Sequence, residues 1–182
     1  MPSPIAHSIS GYVFCKVWLQ RRNLVFSSKT ANLWGFYLVF ISNLPDLDFI
    51  AQFFLDDQVH RGFTHSVTAT FGVSLFAGLV GFIYWRSRWR QLWLITLLVY
   101  GLHLCLDALT AGGAGMKLLW PLSEEYYKLP FSLFPPVHHS RGLFDLSHLI
   151  FLSYELAYAI LLMLGLRRLW FSQKRPRNNV LK

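Results

Sequence analysis

Charge is scarce in this 182-residue chain. Asp, Glu, Lys and Arg make up 14% of it, against about 25% in ordinary soluble domains. Mean hydropathy is +0.38, which excludes the low-hydropathy regime of a disordered chain. Cysteine is scarce too. Cys15 and Cys105 both lie inside apolar stretches, so a disulfide framework is excluded, as is a thiolate-built structural zinc site. Acidic residues are few, 9 against 17 basic, giving a net charge of +8. That excess does not indicate a nucleic-acid partner, because long apolar runs interrupt the Lys and Arg residues and no single basic surface forms. The chain also lacks a basic run ahead of its first apolar segment. Lys16, Arg21 and Arg22 come after it, unlike the order in a secretory signal peptide.

What is present is a set of long apolar runs. A membrane-spanning helix takes roughly 17–25 such residues. Residues 31–50, 65–85, 91–110 and 147–166 qualify, and the first is broken near its end by Asn43-Leu44-Pro45. A shorter helix is expected over residues 4–19, where Pro4 suits a first-turn position. The expected fold is all-α: an integral membrane helical bundle of four strong transmembrane helices plus a shorter N-terminal one. We expect one membrane-embedded domain over residues 1–170 and a basic tail over 171–182. Basic residues cluster at Lys16, Arg21, Arg22 and Lys29, at Arg86, Arg88 and Arg90, and from Arg167 to Lys182. With five helices these clusters share one side. The positive-inside rule makes that side cytoplasmic, with the N-terminus outside and the C-terminus inside.

Titratable groups within membrane segments are costly and are functional candidates by default. Here they gather on the side opposite the basic clusters: His7, Asp46 and Asp48, His60 and His65, His103 and Asp107, then His138, His139, Asp145 and His148. His103 and Asp107 are four apart and share a helix face. Asp46 and Asp48 would diverge on a regular helix, but Pro45 removes a backbone donor and disfavours helical geometry before it. A broken helix end then turns both carboxylates toward one centre. Such irregular backbone at membrane depth must line a protein cavity. In His60-Arg61-Gly62-Phe63-Thr64-His65-Ser66 a tight loop leads into a helix, with Thr64 as the expected N-cap and His65 in the first turn. Gly11, four residues after His7, leaves room for a close neighbour. Burying several acids and histidines together is unfavourable unless they are paired or metal-bound. A structural hydrogen bond between His103 and Asp107 is the plainer reading of that pair alone; convergence of four segments favours a metal site.

At these residues the sequence resembles the LexA-regulated, inner-membrane metal-dependent hydrolases of the YdjM-like family. The matching elements are Ala6-His7 with Gly11, Leu44-Pro45-Asp46-Leu47-Asp48, His60-Arg61-Gly62 with Thr64-His65-Ser66, His103-x-x-x-Asp107, and Trp120-Pro121-Leu122-Ser123. The motif order is more distantly similar to that of zinc-dependent phospholipase C and P1-type nucleases. The resemblance implies a phospholipase-like hydrolase in a bacterial inner membrane. Its metal ligands would be His7, Asp46 or Asp48, His60 or His65, His103 and Asp107. No H-x-x-x-E element follows Asp107, since His148 and Glu155 are seven apart, so one or two ions are expected and not three.

Mixed His and Asp donors suit Zn²⁺ best, with Mn²⁺ and Fe²⁺ as alternatives, and disfavour Ca²⁺. The expected reaction is hydrolysis of a phosphate ester or phosphodiester of a membrane lipid at the outer face. Asp46 or Asp48 would accept a proton from water, and Arg61 would hold a phosphate oxygen. The alternative is a non-enzymatic metal-binding or transport protein. Transport needs polar groups through the full thickness, and Glu155 is the one acid on the inner part of the last span.

Overall fold

The computed structural model describes residues 3–21, 28–52, 61–111, 113–136 and 146–174. Six α-helices run in chain order: α1 Pro4–Arg21, α2 Ser28–Asn43, α3 Asp48–Gln52, α4 Val67–Tyr84, α5 Trp89–Ala108 and α6 Leu146–Lys174. Two 3-10 turns, Pro45–Leu47 and Phe63–His65, precede α3 and α4. Among the described residues only isolated β-bridges occur, Thr110 with Phe134 and Met116 with Tyr127, so the architecture is helical as expected.

Three helices, α4, α5 and α6, are long and apolar enough to cross a membrane. The fourth span expected over residues 31–50 is not one continuous rod. Its helix α2 has 16 residues, about 24 Å at 1.5 Å per residue, against a hydrocarbon core of about 30 Å. The physical cause is Pro45, which opens the 3-10 turn and has no N–H to continue the α-helical ladder.

The helices pack as two hairpin-like pairs, α1 with α2 and α4 with α5; α2 joins the pairs through α5, and α6 lies against α1. Small residues set the two tightest seams. A Cβ on Gly78 would lie 2.9 Å from Trp93 Cβ, and one on Gly11 would lie 2.7 Å from Ser42 Oγ and 2.8 Å from the Leu38 carbonyl oxygen. Close backbone approach of this kind is how helices associate where lipid offers no hydrophobic drive. Leu38, Ile41, Ile95, Val99, Tyr100 and Leu104 form the interior. Phe36, Phe71, Leu75, Phe76 and Leu161 point outward, the expected face toward acyl chains.

Polar groups inside the bundle are satisfied locally. The Thr70 and Ser74 hydroxyls donate to the carbonyls of Ser66 and Thr70, and Tyr37 pairs with Thr96 at 2.6 Å. Buried Glu155 accepts from the Ser3 N–H and hydroxyl, and Ser10 meets Tyr158, so α6 grips the start of α1. The helix α4 is capped by Ser66, whose Oγ accepts from the Ala69 N–H at 3.0 Å. The expected cap, Thr64, instead lies in the preceding 3-10 turn, because its hydroxyl is committed to Asp48.

Candidate metal centre

Five segments bring polar side chains to one end of the bundle. His7 comes from the first turns of α1, Asp46 from the 3-10 turn after Pro45, and Asp48 from the start of α3. Arg61 and His65 flank the second 3-10 turn. His103 and Asp107 lie one turn apart near the end of α5. All are buried except Asp46, whose side chain is 11% exposed.

Asp46, His65, His103 and Asp107 each offer one donor atom, and the four atoms lie within 4.8 Å of one another. His65 Nε2 is 3.4 Å from Asp46 Oδ1, 3.3 Å from Asp107 Oδ2 and 3.2 Å from His103 Nε2. His103 Nε2 is 3.6 Å from Asp46 Oδ1 and 4.0 Å from Asp107 Oδ2. A tetrahedral ion with bonds of about 2.0–2.2 Å has donor atoms about 3.3–3.6 Å apart. Five of the six edges, 3.2–4.0 Å, lie around that figure, and the whole set lies within 4.8 Å, so it fits a four-coordinate divalent cation after contraction.

The tautomers point the same way. His103 Nδ1 is 2.8 Å from the Ser42 carbonyl oxygen, which only accepts, so Nδ1 carries the hydrogen. Thr64 donates its one hydroxyl hydrogen to Asp48 at 2.5 Å, and His65 Nδ1 lies 3.0 Å from that hydroxyl oxygen and 3.3 Å from Asp48 Oδ2. His65 Nδ1 is therefore a donor as well. Each ring, when neutral, then aims an Nε2 lone pair inward. Two lone pairs 3.2 Å apart need a cation between or beside them. Both oxygens of Asp46 and of Asp107 are also buried without a hydrogen-bond partner, a condition native structures rarely tolerate. Without metal a proton takes the place. Burial pushes the His65 imidazole down, but Asp107, Asp46 and Asp48 outweigh it and lift it to about 10.

Asp48 is set back from this ring of donors. Its Oδ2 accepts from the Arg61 backbone N–H at 3.1 Å and from Thr64, and faces the outer nitrogen of His65. It braces a ligand in the manner of the carboxylate–histidine–metal arrangement. Arg61 is the one non-glycine residue with positive φ, at 63°, among the described residues. Its carbonyl accepts from Lys117 N–H, which ties it to the loop after α5. Its Nη2 lies 3.4 Å from Asp107 Oδ2, while Nε and Nη2 have no hydrogen-bond partner. His7 Nε2 is 3.4 Å from Asp107 Oδ1 and 4.0 Å from Asp46 Oδ2.

Of the residues singled out in the sequence, His7, Asp46, Asp48, Arg61, His65, His103 and Asp107 therefore come together. His60, His138, His139 and Asp145 lie outside the described residues. His148 is half-buried at the start of α6. Sequence reasoning missed Thr64 as the link between Asp48 and His65, and the Ser42 carbonyl behind His103. The first had a signal, a hydroxyl one residue before a candidate ligand; the second, a backbone atom, had none.

The family model for the YdjM inner membrane protein matches residues 1–175. The chain is 32% identical over 120 residues to "Inner membrane protein YbcI" of Escherichia coli (strain K12), covering 63% of this chain and 68% of that one. No solved structure matches, and the expected likeness to zinc-dependent phospholipase C and P1-type nucleases is not shown by these comparisons.

Proposed function

The chain belongs to the YdjM inner membrane protein family, and from that premise we propose that it is a membrane-bound metal-dependent hydrolase of lipid phosphate esters or phosphodiesters. The observation that carries this reading is the buried convergence of Asp46, His65, His103 and Asp107, one donor atom from each within 4.8 Å of the others. Zn²⁺ suits the donor set best, with Mn²⁺ and Fe²⁺ next. When bound, the ion supplies Lewis-acid polarisation of a phosphoryl oxygen and makes water more acidic.

The protein's own groups do the rest. Asp46 is the most open carboxylate of the ring, and its Oδ2, turned away from His65 and His103, accepts the proton of an attacking water. Asp48 positions His65 and is not the base, because its Oδ2 is already engaged by the Arg61 N–H, Thr64 and the His65 ring. Arg61, ion-paired with Asp107 through Nη2 at 3.4 Å, has guanidinium nitrogens with no hydrogen-bond partner, and its planar fork suits phosphate oxygens. The outward Phe and Leu side chains of α4 and α6 keep the bundle in lipid, so a headgroup enters the polar end while its acyl chains stay in the bilayer. The Lys and Arg clusters on the opposite side support a periplasmic position for that end.

The test is phospholipid hydrolysis by detergent-purified protein with and without chelator. Turnover lost on chelation and restored by Zn²⁺ or Mn²⁺ is the expected result. Retained metal with no turnover across a broad set of phospholipids would favour the metal-binding or transport reading.

A further inference from the structure

The element Trp120-Pro121-Leu122-Ser123, which the metal centre leaves unused, forms a tight turn at the polar end of the bundle. Two backbone bonds fix its place. The Lys117 N–H donates to the Arg61 carbonyl at 3.1 Å, and the Val67 N–H donates to the Leu118 carbonyl at 2.9 Å. Leu118 also packs against the core. The turn therefore sits beside the first residue of α4. That helix has 18 residues, about 27 Å at 1.5 Å per residue, and the hydrocarbon core is about 30 Å thick. Crossing uses the whole length of α4, so Val67 stands at the hydrocarbon boundary and the turn stands with it.

Two features of the turn suit that boundary and not bulk water. One is its apolar exposure. Leu122 at the tip is 90% exposed, Leu119 is 42% exposed, and Phe63 is 51% exposed. Phe63 meets the Trp120 ring with centroids 5.8 Å apart. At Val67 this surface adjoins the outward face of α4, which continues through Phe71 and Leu75. The other feature is the backbone. The N–H groups of Leu118, Trp120, Leu122 and Ser123 donate to the carbonyls of Met116, Lys117 and Leu119, and Pro121 has no N–H to satisfy. Backbone that spends its donors internally can enter a region poor in water.

We propose that the turn over residues 119–122, with Phe63, is an interfacial anchor inserted among the phospholipid acyl chains at the leaflet boundary. It adds apolar height to a helix slightly shorter than the hydrocarbon core, which reduces the mismatch, and its Trp120 takes the depth that indole rings favour. Through the Lys117 bond it also holds Arg61 at the level of the lipid phosphates. The anchor does not rest on the reaction proposed above. Its test reads depth and not turnover, so either can fail alone.

The test uses the full chain in phosphatidylcholine vesicles, with a nitroxide at Leu122→Cys in a Cys105→Ser background; the other cysteine, Cys15, is buried. Collisions of the nitroxide with oxygen and with a water-soluble nickel chelate are read by electron paramagnetic resonance. Leu75→Cys marks the lipid-facing middle of α4, and Glu125→Cys, also exposed, marks the far side of the turn. The expected result is a ratio of oxygen to chelate collisions at 122 several-fold above that at 125 and approaching that at 75. Chelate collisions at 122 as frequent as at 125 would place the turn in water and overturn the anchor. Few collisions with either reagent at 122 would mean that protein covers it, another segment or a second copy, and would overturn the lipid as its occupant. Leu122 makes little contact with the fold, so its replacement leaves packing intact. Phe63→Cys gives an independent reading from a second segment, and a chelate-accessible label there would also overturn the anchor.

Discussion

The His65 side of the centre and the His7 side are built differently. His65 is held from behind by Asp48 and Thr64, and His103 by the Ser42 carbonyl. His7 has no such partner and is kept in place by stacking on His103 and by the Gly11 seam. Outer partners fix the tautomer of a ligating imidazole and raise its basicity. The His65 and His103 rings are therefore fixed by hydrogen-bond partners behind them, and His7 is fixed by packing. The two share Asp46 and Asp107, so damage to a shared residue should reach both, while damage to a brace should reach one.

The largest effect is expected from Asp107→Ala, which removes a ring donor that faces both His65 and His7. Bound metal should fall to background while the protein still inserts in the membrane, as elemental analysis of the purified variant would show; His103→Ala should do the same to the braced side. Unchanged metal content would take both residues out of the site. Next comes Asp48→Asn, which leaves all four inward donors but loosens His65. A drop of about 10–100-fold in Zn²⁺ affinity is expected, measured by competition with a chromophoric chelator. Equal weakening by a substitution at His7 alone would erase the contrast between the sides.

A third expectation concerns pH. The raised value of His65, about 10, means that its ring is protonated near neutrality in the metal-free protein and must lose that proton to bind an ion. Affinity on the braced side should therefore rise with pH below that value, by about tenfold per unit, in the same competition assay. The smallest effect is structural. Ser66→Ala removes the α4 cap and should cost about 1 kcal/mol of stability in thermal unfolding. Metal content at saturation should not change, which separates the frame from the site.

Much of this was legible in the residues. The four-residue spacing of His103 and Asp107 placed them on one face, and Pro45 foretold the break that frees Asp46 and Asp48. The rest depended on facts a linear pattern does not carry. Asp48 and Asp46 look equivalent in sequence, but the 3-10 turn sends one to the centre and the other behind His65. Thr64 and Ser66 are both good N-cap residues; which one caps α4 was decided by the Thr64 hydroxyl bonding Asp48. The apolar run over residues 31–50 had the composition of a span, but its helix ends at Asn43, because hydropathy windows do not register a missing backbone donor.

X-ray absorption at the zinc edge of the Zn²⁺-loaded protein tests the four-donor ring most directly. The account predicts a first shell of nitrogen and oxygen only, at about 2.0–2.1 Å, with the outer-shell scattering of imidazole rings. A shell without imidazole scattering, one containing sulfur, or zinc that does not survive dialysis would contradict it.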